Sequence, residues 1–123
     1  LRINRSYITN FDQILDASNL AFSSSSATSN TTLTETDGIN VKLINATSGA
    51  VTVTLPTAVS NAASFIIKKT DSSVNKVTID AYSTETIDGG TTYVLNDQYN
   101  YVEIVSNGTN WVVTNEFNNE VWT

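Results

Sequence analysis

Neither cysteine nor histidine occurs anywhere in the 123 residues. Thiolate nucleophiles, disulfide frameworks, histidine-bearing zinc sites and Ser-His-Asp triads are excluded together. Long apolar runs are also missing: nothing approaches the roughly 20 residues a membrane helix needs, so no membrane insertion is expected. Charge is sparse, at 15% of residues, and six basic against twelve acidic side chains leave a net −6. Such a chain is repelled by phosphate backbones and anionic surfaces, which argues against a nucleic-acid partner. The single proline, Pro56, cannot donate a ladder hydrogen bond and should end a strand or stand at an edge.

What is abundant is neutral polarity. Ser, Thr and Asn supply 48 residues, a surface suited to an extracellular or virion β-protein. The Asn-x-Ser/Thr sequons at Asn4, Asn30, Asn45 and Asn107 are as many as chance provides in this composition. The chain opens on Leu1 with neither a basic leader nor an apolar signal core, as expected of a fragment or a processed product.

From residue 39 to 114 apolar and polar residues alternate between turn signals, the period-2 pattern of short strands. "INVKLI" (39–44) places Ile39, Val41 and Leu43 on one face, and "AVTVTLP" (50–56) does the same with Val51, Val53 and Leu55. "NATSG" between them reads as a hairpin turn, and "TDSSVN" as another between "SFIIKK" and "KVTID". The same alternation points Lys68 and Lys69 to opposite faces, one exposed or partnered with an acid. The clearest hairpin is 99–114 around Asn107-Gly108, with Val102 and Ile104 sharing a face. Some eight strands at intervals near ten residues predict an all-β fold, a small antiparallel β-sandwich or barrel-like domain.

Residues 23–38 are Ser/Thr-rich and read as a linker. Before them, residues 1–22 carry Tyr7, Ile8, Phe11, Ile14 and Leu15, an apolar set for an extended or short-helical anchor that docks on a partner surface. Residues 115–123 form a tail whose Trp122 calls for cover from the body, a sister chain or further residues.

"TETIDGGTTYVL" (84–95) packs two acids and two glycines into one corner. It lacks the oxygen-ligand spacing of a calcium loop and the glycine spacing of a phosphate loop, so no metal or cofactor is expected. Asp88, Gly89 and Gly90 read as turn scaffold, as do Asn107 and Gly108. A carboxylate pair for glycoside hydrolysis is the one catalytic option left, with Asp80, Glu85, Asp88 and Asp97 as the available acids. Acids at strand ends are ordinarily solvated, and the expectation is no enzyme. Tyr93, Tyr99, Tyr101 and Trp111 form either a platform for sugar rings or packing between strands and subunits, and the alternating runs favour packing.

The succession "VTVTLP", "IIKKTDSS", "NKVTID", "ETIDGGTTYVL" and "YVEIVSNGTNWVV" over about residues 50–113 resembles a β-domain of bacteriophage tail fibres, tailspikes and head fibres. The resemblance implies a structural virion component: a homotrimeric head or tail fibre, assembled in the host cytoplasm and displayed on the virion surface. Its implied partners are sister copies, capsid or tail proteins, and host surface glycan; it implies no catalytic residues. An adhesion module of a bacterial surface protein and a fragment of a glycan-depolymerising tailspike are the alternatives. Size argues independently for self-association, because a body of about 76 residues without disulfide or metal buries only around three fifths of its unfolded surface.

Overall fold

The computed structural model describes residues 22–118. The anchoring residues Tyr7, Ile8, Phe11, Ile14 and Leu15, and the terminal Trp122, lie outside the described residues. Nine strands and no helix make up the described part: β1 (Phe22–Ala27), β2 (Thr31–Thr32), β3 (Ile39–Ile44), β4 (Val51–Thr54), β5 (Ser64–Lys69), β6 (Val77–Asp80), β7 (Thr92–Leu95), β8 (Tyr101–Ser106) and β9 (Trp111–Phe117). They form two sheets that face one another across a shared core, ordered β1-β3-β5-β8-β9 and β2-β4-β6-β7, and neither closes into a barrel.

The all-β expectation holds, whereas the antiparallel one is corrected. Successive strands from β1 to β6 fall alternately into the two sheets, so β1, β3 and β5 pair in parallel, as do β2, β4 and β6. Each parallel crossover is made through a strand of the opposite sheet instead of a helix. The chain thus winds through three stacked coils, β1–β2, β3–β4 and β5–β6. Antiparallel strands then close the stack: β7 on β6, β8 on β5 and β9 on β8.

The two hairpins expected at 39–56 and 64–80 are therefore absent, for β3 and β4 lie in different sheets and so do β5 and β6. Their connectors are corners stacked on the corners of the next coil. Asp71 Oδ1 accepts from Ala46 N at 2.6 Å, Asn75 Nδ2 donates to Ala46 O at 2.8 Å, and Thr52 N donates to Asn30 Oδ1 at 2.8 Å. Backbone groups that a hairpin would satisfy within itself are satisfied here by the neighbouring coil. Residues 23–38, read as a linker, contain β2 and all but the first residue of β1. Serine-rich backbone takes a place in a ladder as readily as any other when a partner edge is offered. β9 likewise runs three residues past the expected body, to Phe117.

The 99–114 hairpin forms as expected, with Gly108 at φ 103° in its turn and a β-bulge between Glu103 and Ile104. Pro56 follows β4, and its carbonyl accepts from Trp111 Nε1 at 3.2 Å. Trp111 is fully buried, edge-on to Phe65 with centroids 5.5 Å apart. The core is richest at the closed end, where Phe65, Ile67, Val77, Ile79, Leu95, Val102, Ile104 and Trp111 meet. Toward β1 and β2 the positions in register with the inward residues are Ser23, Ser25, Ala27 and Thr31, and both serines are exposed.

Candidate interaction surface

β3 shows which way the first sheet faces. Its inward side chains are Asn40, Lys42 and Ile44, with Lys42 only 7% exposed, whereas Ile39 is 41% exposed. The apolar set Ile39, Val41 and Leu43 therefore points away from the core. Asn40 is held inside because Ser23 Oγ donates to its Oδ1 at 3.0 Å and its Nδ2 reaches the carbonyls of Asp37, Gly38 and Ser64. Lys42 Nζ donates to Glu35 Oε2 at 2.6 Å and to Ser25 Oγ at 3.2 Å. These partners offset the cost of placing an amide and an ammonium under a sheet. Burial raises the Glu35 carboxyl and the Lys42 bond opposes it, leaving the group below its ordinary value.

Strand register continues the apolar face across the sheet. Ile66 of β5 stands between Val41 and Glu103; the row beside it holds Ile39, Ser64, Val105 and Val112, and the row on the other side holds Leu43, Lys68, Tyr101 and Phe117. Phe22, 66% exposed, extends the first of these rows onto β1. The outer face of the second sheet is of another kind: Thr32, Thr52, Thr54, Thr78, Asp80, Thr92 and Val94. Threonine there suits a pleated surface in contact with water.

At one corner of the apolar face two rings flank a cation, and a third packs on one of them. Lys68 Nζ sits 5.3 Å from the Tyr99 centroid and 5.8 Å from that of Tyr101, and Tyr101 lies 6.4 Å from Phe117. Tyr99 takes φ 71°, a conformation non-glycine residues seldom adopt, and its N–H donates to Lys69 O at 2.7 Å. Of the four aromatics singled out in the sequence, Tyr99 and Tyr101 thus stand together. Trp111 is in the core, which removes it from any exposed platform. Tyr93 is on the second sheet, where its hydroxyl donates to Glu116 Oε1 of β9 and ties the two sheets at their edge. Burial first, then the Glu116 bond and charge, push the Tyr93 phenol up to about 12.

Two of the four candidate acids, Glu85 and Asp88, have structural occupations. Ile87 N donates to Gly90 O at 2.6 Å and Gly90 N returns the bond at 3.0 Å; between them Asp88 and Gly89 take φ 48° and 87°, a two-residue turn of type I′. Asp88 Oδ1 accepts from Val113 N at 2.9 Å, so the corner is stitched to β9. Glu85 accepts from Thr57 Oγ1 at 2.5 Å and Ala58 N at 2.8 Å, holding the loop after β4. Among the described residues no cluster of three acids stands at metal-binding distance.

Lys69 is the inward lysine that alternation separated from Lys68, and it is fully buried. Its Nζ donates to Asp71 Oδ2 at 2.8 Å, while Asp71 also accepts from the N–H groups of Ala46 and Ser73. Burial pushes the Asp71 carboxyl up, but the bonds from Lys69, Ser73 and Ala46 outweigh it and hold the group well below the usual carboxylate range.

The apolar outer row escaped the sequence reading because alternation gives two faces without saying which is inside. The signal that could have found it is in β3 itself, where Lys42 and Asn40 are matched by the hydroxyls of the serine run before them. No family model and no curated protein matches the chain.

Proposed function

We propose that this chain is a non-catalytic structural element of a bacteriophage fibre, on head or tail, assembled as a homotrimer at the virion surface. The observation that carries the reading is the unlike character of the two ends of the stack. At one end the parallel strands β1 and β2 are edges that further parallel coils can join. At the other, β7, β8 and β9 turn the sheets antiparallel and tie their edge through Tyr93 and Glu116. Two unlike ends of this kind support the reading of an elongated assembly, as does the resemblance of residues 50–113 to fibre domains. Of the expected anchor at 1–22, residues 1–21 precede β1 and are assigned to docking on capsid or tail proteins. Light scattering of the native chain tests the reading. A mass of three times 13.3 kDa is expected, and a species at 13.3 kDa overturns it.

A further inference from the structure

We infer that the outer face of the first sheet is the surface through which copies of this chain pack on one another, three such faces lining a common axis. The inference rests on the fibre reading for the number of copies, and on the described surface for the choice of face.

Burial is the first argument. A sheet exposed on one side ordinarily presents polar residues there, as the second sheet does with its threonines. The first sheet instead presents Ile39, Val41, Leu43, Ile66, Val105 and Val112, over an area of about 14 Å by about 13 Å from strand spacing and rise. Phe22, Ile39, Tyr99 and Phe117 are exposed here, and apolar side chains gathered on one face in this way mark an interaction site. β3 directs these side chains outward at the expense of enclosing Asn40 and Lys42, an arrangement that favours the outer face being covered in turn.

Charge selects the occupant. The chain carries a net −6, so copies repel one another over most of their surface. Within the rows of this face stand one cation, Lys68, and one anion, Glu103, on adjacent strands. The face is neutral, and two copies can meet there without that repulsion. Lys68 rests over tyrosine rings and Glu103 accepts from Thr114 Oγ1 at 2.9 Å, so no ion pair within the chain holds the two together. Around a threefold axis each copy offers Lys68 to one neighbour and Glu103 to the other. A face that carries both signs is complementary to a copy of itself, whereas an acidic or basic partner protein would match only half of it.

The test uses the full chain. Ile66→Lys places an unpaired charge at the centre of the face, while Thr78→Lys does so on the second sheet. The first is expected to weaken association by about a hundredfold or more, giving 13.3 kDa material at micromolar concentration, and the second to leave the native mass unchanged. A folded Ile66→Lys variant that keeps the wild-type oligomeric mass overturns the inference while leaving the fibre reading standing; a wild-type chain of 13.3 kDa overturns both. Should Ile66→Lys fail to fold, the wild type decides. Mixed isotopically heavy and light copies, treated with a zero-length carbodiimide, are expected to yield heavy–light crosslinks between Lys68 and Glu103. Crosslinks confined to pairs off this face refute the assignment.

Discussion

Asp71→Ala removes an acceptor on which several buried donors converge. Lys69 Nζ, fully buried, is left with the Asp71 carbonyl at 3.3 Å and Ser73 Oγ at 3.5 Å. Ala46 N, also buried, loses its 2.6 Å acceptor. Breaking a buried pair from one side costs about 3–5 kcal/mol, and an orphaned buried N–H alone accounts for about 1–3 kcal/mol of such a loss. We therefore expect Asp71→Ala to lose about 4 kcal/mol, a large part of the roughly 5–15 kcal/mol that holds a domain together. Lys69→Met should lose much less, about 1–2 kcal/mol, because an apolar side chain of similar length fills the site and Asp71 keeps the Ala46 and Ser73 N–H groups. The assay is urea unfolding at one fixed protein concentration, since association would shift the midpoint.

The pH dependence has a definite sign. Asp71 has a depressed folded value, so its contribution is present above the ordinary value of 3.8 and is lost progressively as pH falls below it. The native chain should weaken below about pH 4, and Asp71→Ala should lack that part of the slope. An Asp71→Ala variant within about 1 kcal/mol of the native chain at unchanged denaturant slope would refute the reasoning.

Gly89→Ala is expected to cost about 1 kcal/mol from backbone conformation alone, because φ is 87° and a Cβ there meets nothing within 4 Å; a thermal melt that does not move contradicts this. Tyr93 should ionise near pH 12 in an ultraviolet titration of the folded protein. With its folded value raised, the associated stability is present below the ordinary value of 10.0 and lost as pH rises through about 12, and a Tyr93→Phe variant should lack the late step.

Much of this fold was legible. The strands at 39–44, 51–54, 64–69, 77–80 and 101–106 follow from period-2 alternation, and the corners at Asp88-Gly89 and Asn107-Gly108 from turn chemistry, both local properties. Parallel pairing was not legible, because each strand's partner lies one whole coil away and the pattern of a strand does not report its direction. A trace of it exists in Val51-Thr52-Val53 and Val77-Thr78-Ile79, which align residue for residue. The serine run at 23–26 was misread for a related reason: its strand is specified by the edge of β3, and by Asn40 and Lys42 reaching for its hydroxyls, not by its own side chains. The corner at Lys68, Tyr99 and Tyr101 was half legible, since two of its members were named but their meeting depends on the positive φ of Tyr99.

The contrast between buried Phe65 and Trp111 at one end and exposed Ser23 and Ser25 at the other gives the molecule a weak pole and a strong one. Under tension the serine-lined turn should peel away first, strand by strand, while the aromatic pole holds. Such a body yields to pulling in a graded sequence rather than snapping at once.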